Sequence, residues 1–351
     1  MTTAPASAVP AAAPRPRIPD NVARLSQVLA WPATRAFLAL AVLLVISPLV
    51  ASGSISSTAL YSMLPFAAIT TLVAVGQTLV IQQGGLDLSV PGAVTLGALI
   101  VAKFGNDQSW GLPVAVVVAI LGTSLFGLLS GVVVTAFRLP PLVVTIATNA
   151  LLIGVVQVVS GGFGAQADPR LSDFALGRFL GVPVLVWIAA AVVIAAQVLL
   201  KLSRTGRRFE LVGESRRAAD VLGLLSLGYG VAAYWFSALA AGAAGVMLAG
   251  LLRSPTLTAG DSYLLPSIAA VVLGGTALTG GRGSLVGTAL GAVFLAQLAQ
   301  LVQTFTSLTA VQNVVTALII GVGIVLQLRL GQSPARLIAL FRPRRGEPVR
   351  T

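Results

Sequence analysis

The chain has 351 residues, 56% of them hydrophobic and 9% charged, with a mean hydropathy of +0.96. A soluble domain is about a quarter charged, so a chain this apolar needs lipid as its solvent. Neither cysteine nor histidine is present, which excludes disulfide frameworks, thiol nucleophiles and histidine metal ligands or proton relays.

In chain order, residues 1–35 read as a disordered tail rich in Ala and Pro that ends in Arg15, Arg17, Arg24 and Arg35. Apolar runs then recur, rich in Leu, Val, Ala and Gly and without the period-two alternation of a β-barrel strand. Each approaches the roughly 20 residues a helix needs to cross the hydrocarbon core. The runs predict about ten spans, at 36–51, 61–82, 89–104, 112–137, 141–160, 182–201, 229–252, 266–281, 284–303 and 309–328. The expected fold is an all-α polytopic membrane protein, with a transmembrane domain over 36–328 and a basic tail over 329–351. The span at 266–281 is the weakest, because Pro266 opens it and Gly274, Gly275, Gly280 and Gly281 interrupt it. A broken or re-entrant helix is expected there, with the outer segment from Arg253 to Leu265 folded partly back.

The net charge of +12 could suggest nucleic acid, but the basic residues lie between the apolar runs and in the tails. An even number of spans with both termini cytoplasmic leaves only Lys103, Arg170, Arg178 and Arg253 outside. Such a partition is what the positive-inside rule requires, and the expected location is the inner (cytoplasmic) membrane. Gly283, Gly287 and Gly291 recur every fourth residue and predict a face for close helix packing.

The chemistry is narrowed first by absence. The two lysines, Lys103 and Lys201, lie in no Walker A loop, so the chain has no nucleotide site of its own. No carboxylate is expected mid-span; Asp87, Glu210, Glu214 and Asp220 are placed at cytoplasmic helix ends. That weakens an ion-coupled mechanism, which needs an intramembrane site for its ion.

The longest cytoplasmic loop runs over 201–227. Within it, Gly213, Glu214, Ser215, Arg216, Arg217, Ala218, Ala219, Asp220 and Gly223 outline a short amphipathic helix. Glu214 suits its positive N-terminal end and Gly223 its stop, with Ala219, Val221 and Leu222 as an apolar face. Such a helix suits docking into a groove on a cytoplasmic partner, and it equally suits a basic loop that only enforces topology. Asp87 or Ser89 can cap the helix after Gly84-Gly85, with Pro91 in its first turn; a substrate or gating role is the lesser reading. Gln77, Thr145, Asn149, Gln157, Gln297, Gln300 and Asn313 are the remaining polar candidates for a solute pathway. Each of them can also serve as a hydrogen-bond link between helices.

Four ordered motifs resemble those of ABC importer permeases, in particular the monosaccharide (ribose/xylose-type) branch. They are Gly84-Gly85-Leu86-Asp87-Leu88-Ser89; Arg138-Leu139-Pro140-Pro141 leading to Val143-Val144-Thr145; the loop Gly-x-x-x-x-Ala-Ala-x-x-x-Gly from Gly213 to Gly223; and Ile268 to Thr276 continuing to Gly280-Gly281-Arg282-Gly283-Ser284. The resemblance covers about residues 60–328. The family usually has Asn where Ser215 stands, and often Arg where Asp220 stands. The resemblance implies a permease paired with a second copy or paralogue, cytoplasmic ATPase subunits that bind ATP and Mg, and an extracytoplasmic sugar-binding protein. It implies transport of a ribose- or xylose-like monosaccharide, with no catalytic residue or cofactor in this chain. Autoinducer, nucleoside and branched-chain amino-acid permeases are the near alternatives, and an ion-coupled carrier is the rival from another class.

Overall fold

A computed structural model describes residues 31–106 and 110–305, with isolated positions from Leu308 to Gly321. Its helices are α1 (Pro32–Val50), α2 (Ser57–Gln82), α3 (Val90–Phe104), α4 (Gly111–Ala136), α5 (Pro141–Ser160), α6 (Pro169–Leu176), α7 (Val184–Leu202), α8 (Arg204–Glu214), α9 (Arg216–Val221), α10 (Ser226–Leu252), α11 (Leu264–Leu273) and α12 (Leu285–Gln303). A two-residue hairpin, β1 (Arg178–Phe179) and β2 (Val182–Pro183), is the one strand pairing among the described residues. Seven helices (α1, α2, α4, α5, α7, α10 and α12) are long and apolar enough to cross a membrane. The protein is an all-α polytopic membrane protein. The expected span at 309–328, the tail at 329–351 and residues 1–30 lie outside the continuously described residues, and the expected disordered tail over 1–35 is corrected at its end, where α1 starts at Pro32.

The two remaining predicted spans are short for a physical reason. Helix α3 has 15 residues, about 22 Å of rise, and α11 has 10, about 15 Å. Neither covers a hydrocarbon core of about 30 Å alone. The expected span at 266–281 is therefore corrected: helix ends at Leu273, and Gly275, Gly280 and Gly281 all have positive φ. Irregular chain at membrane depth is tolerated where protein covers it: Gly260 packs against Pro91 and Thr95 of α3, and Gly274 against Gly287 and Thr288 of α12. The segment from Arg253 to Leu265 packs back against the bundle. Gly260 N–H donates to Thr95 Oγ1 of α3 at 2.9 Å, and Tyr263 joins the main apolar core.

Helix α10 is the axis of the bundle and packs on α2, α3, α4 and α6. Its neighbours approach to backbone distance. A Cβ added at Gly97 of α3 would stand 2.7 Å from the Gly242 carbonyl of α10, and one at Gly76 of α2 would stand 2.7 Å from Ser237 Cα. Two of the three glycines of the expected stripe pack as read, Gly287 against the Gly274 carbonyl and Gly291 against that of Ala270, whereas Gly283 precedes α12 and lies in the loop against Gln82 and Thr276. Lipid tails are as apolar as leucine, so this close packing, rather than a hydrophobic effect between helices, holds the bundle together.

Connectivity gives the bundle two ends. One gathers the ends of α2 and α7, the α4–α5 turn, α8, α9, the start of α10 and the 274–284 loop. The other gathers α6, the hairpin and the 253–263 segment, tied by Asn106 Nδ2 to the Gln166 carbonyl and by Ala167 N–H to the Arg253 carbonyl. The predicted inner and outer basic residues of the described helices and loops sort onto these two ends. Among the tryptophans, Trp110 stacks on Phe104 at 4.7 Å and Trp187 Nε1 donates to the Phe179 carbonyl, as packing residues do.

The packing makes a contrast testable by thermal melts in detergent. Gly97→Val should lower stability by about 1–3 kcal/mol, the usual cost of overpacking. Gly154→Ala, on an open face of α5 with nothing within 4 Å of its Cβ position, should leave the melt unchanged or raised.

Candidate coupling junction and buried polar network

The helical stretch predicted from Gly213 to Gly223 is broken in two. Ser215 is extended and caps α9, its Oγ accepting from Ala218 N–H at 3.3 Å. Glu214 therefore ends α8 instead of starting the coupling helix. Helix α9 stops as predicted, at Gly223 with φ +74°. Gly223 N–H reaches the Asp220 carbonyl and Leu224 N–H that of Ala219, each at 3.0 Å, the paired bonds of a Schellman motif. The apolar face is corrected as well. Ala219 is buried towards the bundle, whereas Val221 and Leu222 point outward, 89% and 71% exposed. Leu225 extends that outer apolar surface, and Arg216, Arg217, Ala218 and Asp220 are exposed around it.

Three separate motifs converge behind α9. Gly213 rests against the Gln82 carbonyl at the end of α2, leaving no room for a side chain. The same carbonyl accepts from Gly281 N–H at 2.9 Å. Gln83 Nε2 donates to the Phe209 carbonyl of α8 at 2.9 Å, and Arg216 Nη2 reaches the Gln83 carbonyl at 3.5 Å. Across the junction Arg282 Nε pairs with Glu214 Oε1 at 2.8 Å. That pair is solvent-exposed, so it sets orientation more than stability. The end of α2, the coupling loop and the Gly280–Ser284 loop thus meet as one joint. Gln82, Gln83 and Phe209 were missed in the sequence, because a carbonyl or amide that braces a distant loop has no local pattern. Arg282 lay inside a recognised motif, but nothing in its spacing assigned Glu214 as its partner.

A second cluster lies one layer deeper. Asp87, expected at a cytoplasmic flank, is 1% exposed and packed against the middle of α10. After α2 the chain turns back into the bundle, so the carboxylate enters with it. Asp87 Oδ1 accepts from Ser89 N–H at 3.0 Å and from Ser89 Oγ, and Oδ2 accepts from Ser237 Oγ at 2.8 Å. Gln77 completes the ring: with its amide oriented to satisfy both partners, it donates to the Asp87 carbonyl and accepts from Asp87 N–H, at 3.2 and 3.3 Å. Asp87 thus caps its own turn. Ser89 occupies the N-cap position of α3 without a capping bond, and the cap arrives from another helix: Asn149 Oδ1 of α5 accepts from Gly92 N–H at 2.9 Å. Thr145 Oγ1 bonds the Pro141 carbonyl at 2.9 Å and reaches the Leu86 carbonyl at 3.3 Å.

Five of the nine pathway candidates, Gln77, Asp87, Ser89, Thr145 and Asn149, are thereby brought together, each with an internal partner. The others lie apart. Gln297 is fully buried and links α12 to Ser47 of α1 at 3.2 Å. Gln157 is exposed on α5. Gln300 lines a cavity of about 440 Å³ between α2, α11 and α12, together with Phe66, Thr70 and Tyr263. Asn313 lies outside the described residues. Among the described residues no three potential metal-ligating side chains assemble.

Residues 59–325 match the family model described as the branched-chain amino acid transport system / permease component. The chain belongs to this family of ABC importer permeases. It is 35% identical over 267 residues to the ribose import permease protein RbsC of Escherichia coli K12, covering 74% of this chain and 83% of that one. Similarity extends to the fructose import permease protein FruG of Bifidobacterium longum, 31% identical over 73% of this chain and 78% of that protein. It extends also to the autoinducer 2 import system permease protein LsrC of Klebsiella pneumoniae, 31% identical over 76% and 78% of the two chains. No solved structure matches the chain. The permease is a transport subunit rather than an enzyme.

The buried ring predicts a stability effect. Asp87→Ala leaves Ser237 Oγ and Ser89 N–H without their acceptor and should cost about 2 kcal/mol or more, read as a lowered melting temperature of the purified permease. Ser237→Ala, which removes one donor and leaves Asp87 its others, should cost about half as much.

Proposed function

We propose that this permease moves a ribose-like monosaccharide across the cytoplasmic membrane, with the coupling loop and both termini on the cytoplasmic side. A second copy or a paralogue completes the membrane core, two cytoplasmic ATPase subunits bind ATP and Mg, and an extracytoplasmic binding protein delivers the sugar. The observation that carries the coupling part of this reading is the joint at Gln82. The exposed apolar edge of Val221, Leu222 and Leu225 offers a groove-filling surface to an ATPase. A push on α9 passes through Gly213 and Glu214 to the end of α2 and to the Gly280–Ser284 loop. Rigid-body motion of a small joint is a sufficient device for switching access.

The sugar assignment is supported by the ribose and fructose import permeases among the relatives. LsrC favours a second reading, in which the solute is an autoinducer. The sugar reading needs hydroxyl recognition, for which Gln157 and Gln300 are the better placed of the predicted pathway residues, since their side chains are not consumed by the buried ring. The ion-coupled reading is disfavoured by the state of Asp87, whose carboxylate oxygens are occupied by serine donors.

The test is purification of the tagged permease from its native membrane, followed by uptake assays. An ABC ATPase and a sugar-binding protein should co-purify. Arg216→Glu with Arg217→Glu should cut ATP-driven uptake at least about tenfold while membrane insertion stays normal, because each reversal introduces repulsion at a docking edge. Normal uptake by the double variant would sink the coupling role, and uptake by the chain alone that collapses with an ionophore would sink the importer.

A further inference from the structure

Beside α9, on the side that carries Arg216, Arg217 and Asp220, lies a cavity of about 700 Å³. Its walls come from the Gln83–Gly85 turn, the α4–α5 turn, α9 and the start of α10. Arg138, Arg216 and Arg217 line it with one carboxylate, Asp220. None of the three guanidinium groups forms an ion pair among the described residues. The inner wall holds two buried polar atoms without a hydrogen-bond partner, Tyr234 Oη and Gln83 Oε1. Tyr234 is 1% exposed, and a buried hydroxyl with no acceptor is costly unless something supplies one. Arg138 itself stands at φ +54°, a conformation that non-glycine residues seldom adopt.

We propose that this cavity binds the phosphate of an anionic phospholipid from the leaflet on the coupling side. Guanidinium forks match phosphate oxygens, and Tyr234 O–H adds a neutral donor. Three positions of positive charge against one negative leave the site short of an anion. The lipid is favoured over a docked protein by placement. The α4–α5 turn beside the cavity exposes Phe137, Leu139, Leu142 and Val143, an apolar track for acyl chains. Basic pockets at the membrane surface between helices are where anionic headgroups are held. A lipid there would touch Arg216 and Tyr234 together, and so bear on the coupling helix and α10 at once. The leaflet, though not the binding, rests on the topology proposed above.

The experiment is native mass spectrometry of the purified full chain in detergent, titrated with phosphatidylglycerol, phosphatidylcholine or inorganic phosphate. Phosphatidylglycerol should bind at least about tenfold tighter than phosphatidylcholine. Arg138→Gln should remove about tenfold of that affinity and Tyr234→Phe about threefold, while Arg138→Lys retains most of it. Elution profile and melting temperature show that each variant is folded, and neither readout depends on the ATPase or the sugar. Equal phosphatidylglycerol affinity for wild type and Arg138→Gln would overturn the site. Inorganic phosphate that binds with the same Arg138 dependence and displaces the lipid would overturn the lipid as its source.

Discussion

Everything in this bundle depends on how closely other backbones can approach α10. In lipid there is no gain from hiding apolar side chains between helices, so contact area and dispersion must hold them. Glycine at Gly76 and Gly97, meeting Ser237 and Gly242, brings α2 and α3 to the axis at a distance no side chain would permit. Once α2 and α10 are that close, the turn between α2 and α3 has only one place to go. It folds back into the bundle, and Asp87 is carried to the middle of α10.

That placement explains the polar network. A carboxylate at this depth is costly unless its oxygens are bonded. Ser89 and Ser237 supply the donors, and Gln77 satisfies the Asp87 backbone. Re-entry of the chain also shortens the distance α3 must cover, which is why 15 residues serve in place of a full span. At the other short helix the same solution recurs: α11 is flanked by irregular backbone that α3 and α12 shield.

The joint behind the coupling loop follows from the same geometry. The end of α2 is fixed by its packing, so the Gln82 carbonyl is a rigid seat for Gly213 and Gly281. Positive φ at Gly280 and Gly281 turns the 274–284 loop under that seat. The segment that joins α8 to α9 therefore rests on the end of α2, beside the 274–284 loop.

Much of this was legible in the residues. Composition alone demanded lipid, the length of each apolar run marked the long helices, and Gly223 marked the stop of the coupling helix because only a residue at ease with positive φ ends a helix that way. The every-fourth-residue glycines of α12 announced close packing. Composition, run length and spacing are local or one-dimensional properties, so the sequence by itself determines them. What only the tertiary structure decided were relations between distant segments: the burial of Asp87, Asn149 capping α3 from another helix, and the pairing of Glu214 with Arg282. A side chain's partner across more than fifty residues leaves no periodicity to read. It exists only once packing has brought the two segments together.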